Sequence, residues 1–270
     1  MISCEEYTKV RKDLFKKQIL SMNRPPALVA IQVGNDKASS SYIRGKFKDS
    51  DEIGIDFTHV HMEEDSTQQE LLTLIDELNE DPNIDGIIVQ LPLPKEFNVR
   101  LVQERISKYK DVDGFRKDSA FKSCTPKGVM DWFAFNEVNL VGQDVVIIGR
   151  SEIVGKPLVN MLIDAGATVT CCNSKSKNIG FYTDTADIVI SAVGKPKIFD
   201  FRYFSDVNII VDVGINRNED GKLCGDINTE HFDKFLPNVY VTPVPKGVGL
   251  LTRLALMDNT IHAYYLNGGK

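Results

Sequence analysis

One stretch of the chain decides the fold: Val145-Val146-Ile147-Ile148-Gly149-Arg150-Ser151-Glu152-Ile153-Val154-Gly155-Lys156-Pro157. The apolar run predicts a short buried strand, and Gly149 begins a turn into a helix that starts near Gly155. Such a turn presents backbone N–H groups at the carboxyl end of a strand, where doubly wound folds bind phosphate. The spacing matches neither G-x-G-x-x-G nor a Walker A loop, which needs Ser or Thr in place of Pro157. A plain strand-to-helix turn remains the alternative interpretation.

Outward from this stretch, apolar runs alternate with helical patterns along most of the chain. Strands are predicted at residues 27–33, 55–62, 85–90, 145–148, 168–172, 187–193, 209–213 and 239–241. Helices are predicted from Asp36 to about Gly54 and at 71–79, 99–107, 126–136, 155–165 and 250–265. Alternation of this kind predicts an α/β fold with parallel sheets covered by helices. We expect a domain boundary near residues 115–125.

Composition excludes several classes of protein. The 270 residues carry a formal charge of −6, without the basic run that nucleic-acid binding needs. No apolar stretch reaches membrane-spanning length, and the first residues lack the order of a signal peptide, so we expect a cytoplasmic protein. The five cysteines form no Cys-x2-Cys pair, which favours buried thiols. His59 and His61 share one side of a strand but have no third ligand in view, so no metal site is predicted.

A candidate acid/base group lies on the second predicted element. Tyr42 and Lys46 are four residues apart, so on a helix they share one face. A partly desolvated lysine releases its proton more easily than a solvated one, which suits it for general acid/base work. The alternative is an ordinary surface lysine. A short-chain dehydrogenase interpretation is rejected, because that class places its nucleotide loop before its Tyr-x3-Lys, whereas here Gly149 comes after it.

Polar residues at other strand ends point towards the same site. Gln90 ends a buried strand before two Leu-Pro pairs, and ligand sites gather at the ends of parallel strands, so its amide can face Lys46. Asp111 and Asp113 follow in a loop. They can serve as a cap and a turn, or a carboxylate there can bind the amino and ring N–H edge of a heterocycle.

The strand after the glycine turn bears on the choice of dinucleotide. NAD-preferring sites hold the ribose with an acidic residue at the end of the second strand. This strand instead ends in Cys171-Cys172-Asn173-Ser174-Lys175-Ser176-Lys177, without an acid. Hydroxyls and cations, together with Arg150, suit a 2′-phosphate. The sequence therefore favours NADP over NAD.

Taken in order, these motifs resemble a known family, the bifunctional 5,10-methylenetetrahydrofolate dehydrogenase/5,10-methenyltetrahydrofolate cyclohydrolases. The resemblance runs from about Leu28 to Thr260. Besides the stretches already quoted, it is carried by Lys110-Asp111-Val112-Asp113-Gly114, Thr125-Pro126-Lys127-Gly128, Asp212-Val213-Gly214-Ile215-Asn216, Gly225-Asp226 and Thr242-Pro243-Val244-Pro245.

The resemblance implies a fold of two α/β domains flanking a cleft, with a Rossmann-like NADP domain and a last helix that returns to the N-terminal domain. It implies a folate-binding domain at residues 1–118 with 250–270, an NADP-binding domain at 119–249, and a homodimer. It also implies site residues. Lys46 would be the general acid/base of hydrolysis, tuned by Gln90; Asp113 would bind the pterin edge and Tyr42 would stack on the folate. The residues that would line the NADP site are Gly149, Arg150, Ser151, Ser174 and Ile215.

This chain also departs from the family pattern. Lys246 stands where the family has a glycine, and Leu250 and Leu251 stand where it has proline and methionine, followed by Arg253. If the family glycine uses a positive φ, a lysine there adds strain of about 1 kcal/mol. Two alternatives therefore remain at this point: a family member with one of the two activities, and a non-catalytic NADP-binding protein on the same fold.

Overall fold

The structure is a computed structural model, described for residues 1–269. It divides into two compact units. The N-terminal unit contains Lys9–Cys124 and the chain from Arg253 onward, and the C-terminal unit contains Met1–Thr8 and Thr125–Thr252. The last helix, α9 (Val248–Leu266), begins in the C-terminal unit and continues in the N-terminal unit. The predicted return of this helix to the N-terminal domain is confirmed.

The N-terminal unit is built on a three-stranded parallel sheet. Its elements in chain order are α1 (Cys4–Leu20), β1 (Ala27–Val33), α2 (Lys37–Ile53), β2 (Asp56–Met62), α3 (Gln68–Glu80), β3 (Gly86–Val89) and α4 (Val99–Arg105). The strand order is β2-β1-β3, with Leu28 in register with Gly86. All seven residues of β1 are buried, as the apolar run predicts for a central strand.

Local signals fix the ends of the helices in this unit. The side chain of Asp36 accepts a hydrogen bond from the Ser39 N–H and begins α2, and Gly54, at φ +93°, ends it. Thr67 and Glu70 form a capping box at the start of α3. These caps determine where α2 starts and therefore which of its residues face the sheet.

The C-terminal unit is built on a five-stranded parallel sheet. Its elements are α5 (Cys124–Phe135), β4 (Asp144–Ile148), α6 (Gly155–Asp164), β5 (Thr168–Cys172), α7 (Ile179–Thr183), β6 (Ile188–Ser191), a 3-10 helix (Phe201–Tyr203), β7 (Ile209–Asp212), β8 (Asn216–Arg217), β9 (Leu223–Cys224), α8 (Phe232–Phe235) and β10 (Tyr240–Val241). The strand order is β10-β7-β6-β4-β5, and β8 and β9 form a separate hairpin. Because the five strands are parallel, their carboxyl ends meet at one edge of the sheet.

The predicted α/β class with parallel sheets is confirmed, and several elements were not predicted. These are α1, α7, α8, the 3-10 helix and the β8–β9 hairpin. Elements of five residues or fewer span too little chain to show a period. The helix predicted to begin at Pro126 begins at Cys124, which still leaves the proline within the first turn. Four of the predicted thiols are buried, but Cys171 is exposed, because β5 is the edge strand of its sheet.

Candidate active site

Lys46 lies on the buried face of α2 and contacts the end of β3. Its side chain is buried, and its Nζ donates a hydrogen bond of 3.1 Å to Oε1 of Gln90. Gln90 is held on both sides, because its backbone N–H donates to the Ile31 carbonyl at 2.8 Å and its Nε2 donates to the Leu91 carbonyl at 2.8 Å. The amide oxygen is therefore fixed towards the lysine. The contact predicted from the strand end is present.

Asp113 shares the electrostatic environment of Lys46. Burial raises the pKa of the Asp113 carboxyl above its ordinary value, and the positive charge of Lys46 acts in the opposite direction. The structure thus joins Lys46 to Gln90 by a hydrogen bond, and the Asp113 carboxyl is influenced by the charge of the same lysine.

Tyr42 differs from Lys46 in its burial. It lies one turn earlier on α2, and 39% of its surface is exposed. The two residues are on neighbouring positions of the helix surface, but only the lysine is buried. The ring of Tyr42 is consequently presented to solvent, where a planar ligand can reach it.

The loop that carries Asp113 is built by the two charged residues before it. Nζ of Lys110 donates to the carbonyls of Leu78, Asn79 and Asp81 at 2.7–2.9 Å, and so caps the C-terminal end of α3. Asp111 accepts a hydrogen bond of 2.9 Å from the Arg116 N–H. Burial raises the pKa of Asp111 to about 6. The cap-and-turn interpretation therefore describes Asp111, and ligand binding by Asp113 stays a prediction.

Asn259 on α9 also holds this loop, and the sequence interpretation missed it. Its Nδ2 donates to the carbonyl of Val112 at 2.8 Å and to the carbonyl of Lys122 at 3.0 Å. Asn259 is buried, and all of these residues belong to the N-terminal unit. The available signal was the polar run Asp258-Asn259-Thr260 after the apolar run Leu254-Ala255-Leu256-Met257 of the same helix. One amide thus fixes both sides of the loop around Asp113.

Arg253, noted as a departure from the family pattern, has a structural partner. Its Nε lies 2.5 Å from Oδ2 of the buried Asp49, whose Oδ1 lies 2.6 Å from Nζ of Lys12. A side chain on Gly45 would meet the guanidinium, since an added Cβ would lie 2.6 Å from Nη1 of Arg253. The ion pairs tie α2, and with it Lys46, to α1 and α9.

In the C-terminal unit, the turn between β4 and α6 requires both of its glycines. Gly149 has φ +127°, and an added Cβ would lie 2.4 Å from the Ala192 carbonyl oxygen. A Cβ on Gly155 would lie 2.2 Å from the Gly149 carbonyl oxygen. The start of α6 therefore packs directly on the turn, as nucleotide-binding turns require. Arg150 and Ser151 lie exposed on it.

The end of the neighbouring strand β5 carries the predicted polar group. Oδ1 of Asn173 accepts from the Lys175 N–H at 3.0 Å, and the Asn173 N–H donates to Oγ of Ser176 at 2.9 Å. This turn leaves Ser174 exposed. At the end of β7, Ile215 is 43% exposed. This edge of the sheet fits a phosphorylated dinucleotide. It has a tight glycine turn and exposed hydroxyls and cations, and β5 does not end in an acidic residue.

Lys246 adopts the backbone conformation that was expected of the family glycine. Its φ is +81°, in the left-handed region. Its side chain is exposed, and its Nζ lies 3.0 Å from Oε1 of Glu5. The next residue must be a glycine, because an added Cβ on Gly247 would lie 2.2 Å from the Pro243 carbonyl oxygen. The lysine is thus accommodated on the surface at a conformational cost.

Residues 1–269 offer neither a metal site nor a membrane-spanning helix. No group of three His, Cys, Asp or Glu side chains in this part of the chain could hold a metal ion. None of the helices described in it is long and apolar enough to cross a membrane.

One unit has a parallel sheet with a tight glycine turn between β4 and α6, and the other has a buried lysine hydrogen-bonded to a glutamine amide. Together these features define the class of a dinucleotide-dependent α/β enzyme. Comparison with known proteins identifies the family. A sequence model of the tetrahydrofolate dehydrogenase/cyclohydrolase catalytic domain matches residues 2–113, and one of the NAD(P)-binding domain of the same family matches residues 123–267. The chain belongs to the tetrahydrofolate dehydrogenase/cyclohydrolase family. The resemblance deduced from the motifs is confirmed, and the chain is an enzyme of this bifunctional type.

Individual relatives agree along nearly the whole chain. The bifunctional protein FolD of Bacillus cytotoxicus is 40% identical over 97% of this chain and 96% of its own length. That of Ligilactobacillus salivarius is 42% identical over 94% of this chain and 92% of its own. The crystal structure of the bifunctional FolD enzyme from Campylobacter jejuni is 39% identical, covers 98% of both chains and has a TM-score of 0.92. The Trypanosoma brucei enzyme, solved with NADP cofactor and an inhibitor, is 28% identical over 98% of this chain and 97% of its own, with a TM-score of 0.89.

Proposed function

We propose that this chain oxidises 5,10-methylenetetrahydrofolate to the methenyl form with NADP+ and hydrolyses that product to 10-formyltetrahydrofolate, with Lys46 as the acid/base group. The observation that carries the assignment of Lys46 is its burial together with its hydrogen bond to Gln90. An amide oxygen accepts a hydrogen bond from the lysine and carries no charge of its own, so the lysine keeps its capacity to exchange protons.

The hydrolytic step can be written with this lysine alone. Water adds to the methenyl carbon, and the neutral amine of Lys46 takes a proton from that water as the new C–O bond forms. The ammonium then returns this proton to the ring nitrogen as its C–N bond breaks. The second proton of the water leaves the hydroxyl for solvent as the formyl C=O forms, and the formyl group stays on N10. One water is consumed and one proton is released overall, because the substrate is a cation.

The remaining folate-side residues position the substrate in this proposal. The carboxylate of Asp113 accepts hydrogen bonds from the amino group and ring N–H of the pterin, a pairing that a carboxylate forms in bidentate geometry. The exposed ring of Tyr42 stacks on the flat ligand, and Gln90 orients Lys46. In this proposal the N-terminal unit supplies the folate site. The predicted folate domain at 1–118 with 250–270 differs from this unit by including residues 1–8, which belong to the C-terminal unit.

The C-terminal unit would hold the dinucleotide. Gly149, Arg150 and Ser151 line the phosphates in this proposal, Ser174 and the cations near it receive the 2′-phosphate, and Ile215 contacts the dinucleotide from the end of β7. When bound, NADP+ supplies the hydride acceptor for the methylene carbon. We therefore propose cofactor binding for the domain predicted at residues 119–249. We also propose that the protein is a cytoplasmic homodimer, which size-exclusion chromatography with light scattering tests for the oligomeric state.

Two assays on the purified protein test the proposed activities separately. In the first, methylenetetrahydrofolate and NADP+ are mixed with the protein and NADPH formation is followed. In the second, methenyltetrahydrofolate is supplied and the loss of its absorbance is followed. Activity in both supports the proposal; hydrolysis without NADPH formation, or the reverse, would reduce the function to one activity. Activity in neither would leave a binding protein. Equal rates with NAD+ and NADP+ would contradict the role given to Arg150 and Ser174.

A further inference from the structure

A buried carboxylate in the C-terminal unit connects two loops at the edge of the sheet. Asp226, just after β9, has no exposed surface. Its Oδ2 accepts hydrogen bonds from Oγ of Ser191 at 2.9 Å and from the N–H groups of Val193 at 2.7 Å and Gly194 at 3.3 Å. Its Oδ1 accepts from the N–H of Lys195 and from Nδ2 of Asn216, each at 3.0 Å.

The donors belong to two different strand ends. Residues 193–195 follow β6, and Asn216 follows β7, the neighbouring strand in the sheet. A single carboxylate therefore spans two loops at the carboxyl edge, next to the strand that ends in Gly149. Ile215 lies in the second of these loops, directly before Asn216. The arrangement fixes the loop that contains Ile215 relative to the loop after β6.

A second buried carboxylate holds Asp226 in place. Asp212 accepts hydrogen bonds from the backbone N–H groups of Gly214, Asp226 and Ile227 at 2.9–3.0 Å. Its burial, with a contribution from the nearby charge of Asp226, raises the pKa of Asp212 to about 6. Asp212 thus connects the end of β7 to the backbone of Asp226 itself.

Close packing explains why this network needs two glycines. An added Cβ on Gly214 would lie 2.2 Å from Oδ1 of Asp226, and one on Gly225 would lie 1.8 Å from Oδ2 of Asp212. Burying two carboxylates is costly unless each is hydrogen-bonded, and apart from Ser191 of β6 the donors to these two lie in the segments that follow β6, β7 and β9. The network therefore determines the shape of this edge of the sheet.

We propose that Asp226 is a positioning residue for dinucleotide binding, which presets the backbones after β6 and β7 before the ligand arrives. The proposal rests on the assignment of Ile215 and the carboxyl edge of this sheet to the cofactor. It predicts that loss of the Asp226 charge releases both loops. Affinity for the dinucleotide then falls because the loops must be ordered on binding, while folate hydrolysis, assigned to the other unit, is retained.

The test compares Asp226→Asn with the exposed Asp220→Asn in the full chain. Calorimetric titration with NADP+ alone should show affinity weaker by about tenfold or more in Asp226→Asn, as expected for losing charge-assisted hydrogen bonds, and no change in Asp220→Asn. Hydrogen exchange without ligand should accelerate at the amides of Val193 and Lys195 but not within β4. Hydrolysis of methenyltetrahydrofolate should stay within about twofold of the original rate.

The outcomes distinguish a failure of the proposed cofactor site from a failure of the role given to Asp226. If the unchanged protein does not bind NADP+, the proposed function of this edge fails. If it binds, and Asp226→Asn binds equally well, the role of Asp226 is wrong. If Asp226→Asn does not fold, Asn216→Ala decides, because it removes only the donor of the Ile215 loop. A weaker affinity for NADP+ in that variant, with hydrolysis retained, supports the proposal, and an unchanged affinity overturns it.

Discussion

Nζ of Lys46, on the buried face of α2, lies 3.1 Å from Oε1 of Gln90, at the end of β3. The two residues are 44 positions apart in the chain, and the parallel pairing of β1 with β3 brings the ends of these elements together. The amide fixes the lysine without adding charge. The proposed hydrolytic chemistry depends on this neutrality.

Replacing Gln90 by glutamate should therefore impair hydrolysis. A carboxylate at this distance favours the charged ammonium, so less neutral amine is present near pH 7. We expect methenyltetrahydrofolate hydrolysis to fall by about tenfold or more at neutral pH and its pH–rate profile to move to the alkaline side. Stopped-flow rates between pH 6 and pH 10 measure this. The exposed Gln69→Glu on α3 is the control, and an unshifted profile in Gln90→Glu would refute the coupling.

Removing the amide of Asn259 should loosen the loop that presents Asp113. Asn259→Ala loses the hydrogen bonds to the carbonyls of Val112 and Lys122, which costs about 1–3 kcal/mol of stability. We also expect KM for the folate substrate to rise in both assays, since Asp113 is proposed to bind the pterin in each. The exposed Asn160→Ala on α6 provides the comparison. A loss of stability with unchanged KM values would limit Asn259 to a structural role.

The glycine at the start of α6 should not tolerate a methyl group. In Gly155→Ala, the new Cβ meets the Gly149 carbonyl oxygen and must displace the turn. We expect binding of NADP+, measured by calorimetry, to be lost or to weaken by more than about tenfold. Gly180→Ala is the matched control, because its Cβ meets only an ordinary contact at 3.7 Å. Equal affinity in the two variants would show that this turn does not hold the cofactor.

The buried Asp111 predicts a dependence of stability on pH. Burial raises its pKa to about 6, above the value of about 3.9 in an unfolded chain. Between these values the folded state binds more protons, so the contribution of Asp111 is present below pH 4 and is lost as the pH rises through 6. Between pH 4 and pH 7 the original chain should therefore lose about 2–3 kcal/mol of unfolding free energy relative to Asp111→Asn. Urea unfolding at a series of pH values measures it, with Asn160→Ala as the non-titrating control. A difference that does not change with pH would be inconsistent with the proposed protonation.

Lys246 offers a test of backbone strain. At φ +81° a glycine is relaxed, whereas any residue with a Cβ is strained by about 1 kcal/mol. Lys246→Gly and Lys246→Ala both lose the ion pair with Glu5, so the comparison between them isolates the backbone. We expect the glycine variant to be more stable than the alanine variant, by thermal unfolding. The reverse order, which is usual in a helix, would show that the positive φ is not kept in solution.

How much of this could be predicted from the sequence depends on the kind of signal. Strong periodicity and turn chemistry gave the parallel sheets, the Gly149 turn and the contact between Lys46 and Gln90, because ends of parallel strands must meet at one edge. The ion pairs that connect Arg253 with Asp49 and Lys12 join residues that are far apart, and no local pattern marks them. The same holds for Asn259 and the loop it fixes.

The short elements were missed for a related reason. The five-residue helix α7 and the four-residue helix α8 are fixed by tertiary packing rather than by a period in the sequence. For example, Phe232 of α8 is buried in the same core as Phe204 and Val189. The hydrogen bonds of Asp226 were also not predictable, since its donors come from two segments of the chain, residues 191–195 and Asn216, that no local pattern connects to it.

The most direct measurement of the central claim is hydrolysis by Lys46→Met, with the exposed Lys48→Met of the same helix as control. The apolar substitution keeps an unbranched side chain that ends at the ε carbon, and it removes the only atom proposed to move a proton. With methylenetetrahydrofolate and NADP+, we predict that Lys46→Met forms NADPH and accumulates methenyltetrahydrofolate, while Lys48→Met completes both steps. Hydrolysis of methenyltetrahydrofolate by Lys46→Met at the rate of the unchanged protein would contradict the assignment.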